Sequence, residues 1–333
     1  MVNHHVGLAL VALAGLMQGN FTIPMKYMPR WNWENLWLLF NVFALLALPW
    51  AVTLFTVPDA ITIYRNAALP EILLPTFFGA LWGVGNVLCG LGVARVGTAL
   101  GLSLVIGLAA ALGTVIPLFS QHSSSVWSSR GLEILLGVVL MSGGVLICAV
   151  AGMRKEGDQG AASAAGRLTG IALCVLSGFM SASLNFAFVY GGVLRARAEA
   201  AGYSSAVAPN VVWTWAMAGS FLVNGAYCSY RLIKNRSLSK FRLPGSSPYW
   251  AYCLAMAILL SGGIFVYGFG AGALGPLGGS IGWAIFLCFT ILAANASGFA
   301  TGEWKGARPA ATYLMLAGSG VLMLAATVVG YAG

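Results

Sequence analysis

Long apolar segments, each separated from the next by a short polar connection, constrain this sequence more than any other feature. A helix that crosses the hydrocarbon core of a bilayer needs about 20 mostly apolar residues. We predict ten such segments, at residues 6–24, 35–57, 71–94, 98–119, 131–152, 168–192, 207–231, 249–273, 277–299 and 310–331. The expected fold is therefore an all-α integral membrane protein with ten transmembrane helices.

The low charge content excludes a soluble protein. Only 8% of the 333 residues are charged and 59% are hydrophobic, whereas a soluble domain carries about 25% charged residues. The formal net charge of +9 does not indicate nucleic-acid binding, because the basic residues lie between apolar segments and not in a stripe with aromatic residues. The expected partners are the lipid bilayer and a small molecule, with no nucleic acid.

Residues that carry metal or covalent chemistry are few. The six cysteines lie singly in apolar segments and form no CxxC pair, so neither a metal site nor a redox motif is predicted. His4, His5 and His122 lie near the N-terminus or in a connection, which leaves no nucleophile–base pair for a membrane hydrolase. We expect no catalytic residue, no metal and no cofactor, and hence a protein that is not an enzyme.

The distribution of lysine and arginine predicts the orientation in the membrane, because cytoplasmic connections are enriched in these residues. Alternate connections form two sets. One set holds 13 basic residues: Lys26, Arg30, Arg95, Arg154, Lys155, Arg167, Arg231, Lys234, Arg236, Lys240, Arg242, Lys305 and Arg308. The other holds four: Arg65, Arg130, Arg195 and Arg197. The first set should be cytoplasmic, so both termini should be periplasmic in a bacterial inner membrane.

A weak internal repeat divides the chain into halves. Residues 7–17 and 170–180 agree at six of eleven positions, which aligns the first predicted span with the sixth. The expected repeats are 1–155 and 166–333, joined by a connecting loop at 156–165. Five spans per half make the second half inverted, and inverted repeats are the common plan of secondary transporters, with the substrate near the midplane.

Two polar pairs lie in equivalent positions of the two repeats. Gln18 and Thr22 are four residues apart in the first span, and the repeat offset places them on Ser181 and Asn185 of the sixth. Polar side chains in a bilayer are costly unless they are paired or hydrated. The two pairs could line a polar cleft between the halves, or they could form hydrogen bonds between helices with no ligand.

Aromatic and amide residues favour a sugar as the ligand. Trp82 and Asn86 lie four residues apart, so a ring that stacks on a sugar stands beside an amide that both donates to and accepts from hydroxyl groups. Core packing or a place at the membrane interface is an alternative for any single tryptophan. The further candidates for substrate contacts are Asn41, Trp213, Tyr267 and Trp283.

The eight acidic residues all lie at span ends or in connections. Proton-coupled carriers commonly use a titrating side chain within the membrane, so this pattern leaves the coupling mechanism open. Glu34, at the start of the second span, and Lys26, just after the first, are the candidates for a coupling or gating pair. The alternative for Glu34 is a favourable interaction with the N-terminus of its own helix.

Several stretches resemble the L-rhamnose–proton symporter family of the drug/metabolite transporter superfamily. They include Trp-Asn-Trp-Glu-Asn-Leu-Trp at residues 31–37 and Gly-Ala-Leu-Trp-Gly-Val-Gly-Asn at residues 79–86, and weaker matches extend over nearly the whole chain. The resemblance implies ten helices, alternating access and the import of a deoxysugar with a proton. Ahead of Trp283, however, the chain has Gly278-Gly279-Ser280 where the family pattern carries a carboxylate. A carrier of another small polar metabolite, with different or no ion coupling, is the alternative.

Overall fold

The computed structural model describes residues 4–156 and 164–331, and all regular elements in these ranges are helical. The ten long helices are α1 (His4–Asn20), α2 (Trp33–Thr56), α3 (Leu69–Val96), α4 (Thr98–Gln121), α5 (Ser129–Glu156), α6 (Ala164–Tyr190), α7 (Asn210–Lys234), α8 (Pro248–Ala273), α9 (Gly278–Ala300) and α10 (Pro309–Tyr331). Short α-helices at Ala60–Asn66 and Gly192–Ala200 lie in connections, as do 3₁₀ turns at Ile23–Tyr27, Ser123–Ser125 and Leu238–Arg242. The predicted connecting loop at 156–165 falls mostly on 157–163, outside the described residues.

Nine helical segments within the described ranges are long and apolar enough to cross a membrane. They match nine of the ten predicted spans, so the prediction of an all-α membrane protein is confirmed, whereas the count of ten is not. The exception is the predicted span 207–231, which corresponds to α7. This helix has 25 residues, but Thr214, Ser220 and Asn224 lower its hydrophobicity, and all three side chains are buried in the protein.

A π-helical segment interrupts α2 at Val42–Ala47. The wider turn of a π-helix disturbs the regular pattern of backbone hydrogen bonds, and such segments are frequent at functional sites. Here the carbonyl oxygen of Ala44 accepts a hydrogen bond from the Ser261 hydroxyl of α8. The irregular turn therefore fixes α2 against α8.

Equivalent helices of the two predicted repeats pack in equivalent ways. The helix α3 packs on α6 and α7, and its counterpart α8 packs on α1 and α2. Likewise α4 packs on α6, and α9 packs on α1. Close approach depends on glycine: a Cβ atom at Gly79 of α3 would overlap the carbonyl of Ala216 on α7. Small residues at such crossings are typical of membrane helices.

The connections meet in two groups at the two ends of the bundle. At one end, Arg30 between α1 and α2 donates to the carbonyl oxygen of Pro244 between α7 and α8 at 2.7 Å. At the other, the Tyr203 hydroxyl between α6 and α7 donates to Asp59 between α2 and α3 at 2.7 Å. We call the first group the basic end, since it holds the larger set of lysines and arginines, and the second the opposite end.

Candidate functional site

A buried asparagine on α6 joins four helices near the opposite end. Asn185 is fully buried, and its Nδ2 donates to the carbonyl oxygens of Gly113 on α4 and Gly279 on α9, both at 2.8 Å. Its Oδ1 accepts from the Tyr267 hydroxyl of α8 at 2.6 Å. All of these groups are uncharged, so the amide is satisfied as donor and as acceptor without an ion pair.

Aromatic rings surround this asparagine. The Tyr267 ring lies 5.7 Å from that of Trp283 and 6.1 Å from that of Trp213. Phe188 stacks on Trp213, and Phe286 packs on Tyr267. We call Asn185, Trp213, Tyr267, Trp283, Phe188 and Phe286 the Asn185 cluster. Each of these side chains is at most 4% exposed. The structure thus brings four predicted substrate contacts together in a closed, packed arrangement, and a ligand reaches them only if side chains or helices move.

Glycine on α4 allows this closure. The Trp283 indole donates to the carbonyl oxygen of Ala109 at 2.9 Å, and a Cβ atom at Gly113 would overlap the indole nitrogen. The tryptophan therefore occupies the space that a side chain at position 113 would need. Because a glycine carbonyl is also an acceptor for Asn185, α4 and α9 are held together by both packing and hydrogen bonding.

Three polar atoms near the Asn185 cluster have no hydrogen-bond partner among the described residues. They are the indole nitrogen of Trp213 and the hydroxyl oxygens of Thr114 and Ser280. Thr114 follows Gly113, and Ser280 follows Gly279, so both hydroxyls lie next to residues that bind Asn185. A buried polar group without a partner costs about 1–3 kcal/mol, and a polar ligand or water that supplied the missing bond would regain that energy.

A cavity of about 320 Å³ lies between the Asn185 cluster and the opposite end of the bundle. We call it the vestibule. Its wall includes the end of α4, the connection between α6 and α7, and the turn between α8 and α9. Phe188 and Gly279 both line the vestibule. Phe188 belongs to the Asn185 cluster, and Gly279 accepts a hydrogen bond from Asn185. The vestibule is therefore separated from Asn185 only by residues, such as Gly279, that contact Asn185 directly.

The other predicted substrate contacts lie closer to the basic end and on different helix interfaces. The backbone of α1 passes close to Gly263 of α8 at Gln18, and the Gln18 Oε1 is buried with no partner in the described structure. Ser181 of α6 lies against Gly85 of α3, next to Asn86. Thr22 is exposed, Trp82 is buried, and Asn41 is buried with its Nδ2 unpaired in the described part. The two repeat-related pairs, Gln18–Thr22 and Ser181–Asn185, are thus placed at separate interfaces.

Lys26 and Glu34, the candidates for a coupling or gating pair, lie in separate contacts in this structure. Lys26 donates to Glu303 at 2.5 Å and to the Thr301 hydroxyl at 2.9 Å, which joins the end of α1 to the connection between α9 and α10. The hydrogen bond from Lys26 holds the pKa of the Glu303 carboxyl below its usual value, although partial desolvation opposes the shift.

Glu34 is instead held by neutral donors. The carboxylate is 2% exposed, and its Oε1 accepts from the Asn235 amide at 2.9 Å, the Ser237 hydroxyl at 2.8 Å and the Asn32 amide at 3.1 Å. We call Asn32, Glu34, Asn235 and Ser237 the Glu34 cluster. It fastens the connection between α1 and α2 to the connection between α7 and α8 at the basic end.

Several residues of the site were not predicted from the sequence. Gly113 and Gly279 contribute backbone carbonyls, and Phe188 contributes an apolar ring, so none of them carries a polar side chain that would mark it. Ser280 follows two glycines at the start of α9, and serine or threonine is common at helix starts, as at Thr98 and Ser129 of this chain, so its position did not distinguish it. Glu303 was seen only as a residue of a connection.

Comparison with known proteins identifies the family. The family model described as "L-rhamnose-proton symport protein (RhaT)" matches residues 2–333. The chain belongs to the L-rhamnose–proton symport protein family. The resemblance seen in the sequence is thereby confirmed, as is the expectation of a membrane transport protein.

Curated members of the family match over almost their full length. The L-rhamnose-proton symporter of Pectobacterium carotovorum subsp. carotovorum is 30% identical over 339 residues, which cover 98% of this chain and 95% of that protein. The symporter of Mannheimia succiniciproducens is 29% identical over 320 residues, covering 93% and 92%. A protein of known crystal structure has the same fold, with a TM-score of 0.55 at 16% identity and coverage of 96% of this chain and 97% of that one.

Proposed function

We propose that this member of the L-rhamnose–proton symport family imports L-rhamnose or a related deoxysugar with a proton by alternating access. The observation that carries the proposal is the family match over residues 2–333. Relatives named L-rhamnose-proton symporters align along nearly the whole chain, so no large segment of the relatives lacks a counterpart here.

The chemistry of the Asn185 cluster suits a neutral sugar. An amide, a phenol and two indoles supply uncharged donors, acceptors and ring faces, the usual means by which a protein holds hydroxyl groups and the C–H face of a pyranose. Because the cluster is closed, a bound sugar must replace some of its hydrogen bonds. In this proposal Asn185, Trp213, Tyr267 and Trp283 bind the sugar from one side.

The remaining predicted contacts complete the site from the basic end. We assign this role to Gln18, Thr22, Asn41, Trp82, Asn86 and Ser181. The unpaired buried atoms of Gln18 and Asn41 support the assignment, since a sugar hydroxyl would satisfy them. Replacing Gln18 or Asn86 with alanine should remove the thermal stabilisation that sugar gives, while the sugar-free protein stays folded.

Alternating access requires two units that move relative to each other. We propose that these are the five-helix repeats 1–155 and 166–333, arranged with opposite orientations in the membrane. The matched packing of α3 with α6 and α7, and of α8 with α1 and α2, supports this division. All six residues of the Asn185 cluster belong to the second repeat, and the cluster bonds to the first repeat through Ala109 and Gly113 of α4, so it would lie at the interface between the repeats.

Orientation follows from the two groups of connections. We propose that the basic end faces the cytoplasm and the opposite end the periplasm, with both termini periplasmic, in a bacterial inner membrane. The 13 basic residues of the basic end, against four at the opposite end, support this orientation. A C-terminal reporter that is active only in the cytoplasm should be inactive; activity would reverse the assignment.

Uptake into proteoliposomes tests the function. With an inward proton gradient, the wild-type protein should accumulate radiolabelled L-rhamnose above its external concentration, and a protonophore should abolish the accumulation. Equilibration that is insensitive to the protonophore would favour the alternative of an uncoupled carrier. No uptake of L-rhamnose or of any other hexose or deoxyhexose would contradict the proposal.

A further inference from the structure

We propose that the vestibule is a second sugar-binding site, where a neutral monosaccharide binds at the opposite end before the Asn185 cluster opens. This inference rests on the proposed transport function, because it identifies where that substrate first binds. None of the residues predicted as substrate contacts or as a gating pair lies in the wall of the vestibule. Its volume of about 320 Å³ is at the lower end of the range for small-molecule sites, as expected for a single sugar ring.

The base of the vestibule offers an unsatisfied hydroxyl group. Ser280 lines the cavity, is 1% exposed, and its Oγ has no partner in the described part of the chain. A hydroxyl can donate one hydrogen bond and accept two, so a sugar hydroxyl is a suitable partner. Because the Oγ itself has almost no exposed surface, it reaches a sugar hydroxyl in the vestibule only after the Ser280 side chain rotates or its neighbours shift.

The part of the wall formed by the connection between α6 and α7 carries a loosely held ion pair. Arg195 Nε lies 4.0 Å from Glu199 Oε1, and the two side chains are 31% and 42% exposed. At this separation the pair forms no direct hydrogen bond, so most of its donors and acceptors remain available. Arg195 also lies over the face of Phe188, 5.4 Å from the ring centre, which orients the guanidinium at the rim.

The charges of the vestibule favour a neutral ligand over an ion. One arginine, one glutamate and His122 line it, and the arginine and the glutamate carry opposite charges. An anion would meet Glu199 and a cation would meet Arg195. A polyhydroxylated neutral molecule can accept from one and donate to the other, and Gln121 at the end of α4 adds an amide of either polarity.

Gly279 connects the wall of the vestibule to the closed Asn185 cluster. This residue lines the cavity, and its carbonyl oxygen accepts from Asn185 Nδ2 at 2.8 Å. A sugar that contacts Ser280 therefore lies one residue from a bond that must break when the cluster opens. The geometry makes the vestibule the last site before the closed cluster on a path from the opposite end.

Two tryptophan variants test whether the path runs through the vestibule. Ser205 lines the vestibule, and its carbonyl oxygen lies against Gly272 of α8. The Ser205→Trp variant should place an indole across the cavity and raise the KM for L-rhamnose uptake at least ten-fold. Ser204 is also exposed but does not line the cavity, so Ser204→Trp is the matched control and should keep the wild-type KM. Equal KM values in the two variants would overturn the proposal.

Thiol labelling gives a readout that does not depend on transport. Gln121→Cys places a thiol in the vestibule, whereas five of the six native cysteines are buried and Cys89 is partly so, which makes the wild-type protein the background control. L-Rhamnose should slow labelling of Gln121→Cys by a membrane-impermeant maleimide at least three-fold, and succinate should not.

The two readouts separate failure of this site from failure of the proposed function. Sugar protection of Gln121→Cys without uptake would retain the site and reject transport. Uptake without protection, and with a normal KM in Ser205→Trp, would reject the site and retain transport. Protection by succinate and not by sugar would overturn the neutral-ligand assignment, and the absence of both protection and uptake would reject both proposals.

Discussion

The Glu34 cluster and the Asn185 cluster each join separate parts of the chain through one buried side chain that makes three hydrogen bonds. Glu34 accepts all three as a carboxylate near the basic end. Asn185 is neutral, donates two and accepts one, and lies among α4, α6, α8 and α9. The number of bonds is the same, but the charge of the central group differs.

That difference separates a fixed contact from an exchangeable one. Removing the donors around Glu34 would leave a buried charge, which is strongly unfavourable in a protein interior. Opening the Asn185 cluster exposes only neutral groups, and each lost bond can be replaced by one to a sugar hydroxyl at a net cost near zero. We therefore expect the Glu34 cluster to persist through the transport cycle and the Asn185 cluster to open.

The largest effect should come from Asn185→Ala. The change removes three hydrogen bonds between helices and leaves the Tyr267 hydroxyl without its acceptor, so the free energy of unfolding should fall by about 3–5 kcal/mol. Uptake of L-rhamnose should be lost as well. Reversible unfolding in mixed micelles and uptake by proteoliposomes measure the two effects.

Asn224→Ala is the matched control for this change. Asn224 is a buried asparagine of α7, but its amide donates to Ser220 within the same helix. Its replacement should cost about 1 kcal/mol and leave uptake measurable. If Asn185→Ala and Asn224→Ala had the same effects on unfolding free energy and on uptake, the hydrogen bonds of Asn185 between helices would have no special importance.

A smaller effect on stability and little effect on transport should follow from Glu34→Gln. Glutamine has the shape of glutamate but lacks the charge that strengthens all three hydrogen bonds, so we expect a loss of about 2 kcal/mol. Because the cluster stays closed during transport, the folded fraction should retain a normal KM. Glu133→Gln, at the opposite end and half-buried, should change neither quantity by much. Abolished uptake in folded Glu34→Gln would remove the distinction between the two clusters.

The sequence identified spans better than it identified contacts. Nine predicted spans have counterparts because each needs only about 20 apolar residues, a property of composition. The rotation of each helix about its axis is different, since lipid and neighbouring helices are both apolar, and no polar stripe marks the outward face. For this reason Gln18 and Thr22 could not be placed relative to Ser181 and Asn185, and the pairing of Lys26 with Glu303 was not foreseen.

The Asn185 cluster was partly predictable, because some of its residues are conspicuous in an apolar span. Asn185, Tyr267, Trp213 and Trp283 stood out as polar or aromatic residues in apolar spans, and they lie together because buried amides, phenols and indoles need partners. Gly113 and Gly279 act through carbonyl groups that every residue has. No residue type identifies such acceptors, so they emerge only when the helices are placed.

A methyl group on α4 should weaken the closed cluster by an intermediate amount. In Gly113→Ala the new Cβ would overlap the Trp283 indole nitrogen, and overpacking by one methyl costs about 1–2 kcal/mol. We expect a lower melting temperature and reduced uptake. Gly143→Ala on α5 is the control, because nothing lies within 4 Å of its added Cβ, and a helical alanine there should be neutral or slightly stabilising. An unchanged melting temperature in Gly113→Ala would show that Trp283 moves aside easily.

The smallest effect should come from the ion pair at the basic end. Lys26 and Glu303 are 45% and 48% exposed, and exposed pairs contribute at most about 1 kcal/mol. Lys26 lowers the pKa of Glu303 in the folded protein, so its contribution is present above the unfolded pKa of about 4.3 and is lost as the pH falls through the folded value. Lys26→Gln should therefore melt slightly below the wild type at pH 7, and the difference should vanish at low pH. Lys305 is an exposed lysine in the connection that also holds Glu303. The Lys305→Gln variant should show no such pH-dependent difference in melting temperature. If the difference in melting temperature between Lys26→Gln and the wild type grew on acidification, Lys26 would have a stabilising partner other than the Glu303 carboxylate. The basic end would then contain a second contact as specific as those of Glu34.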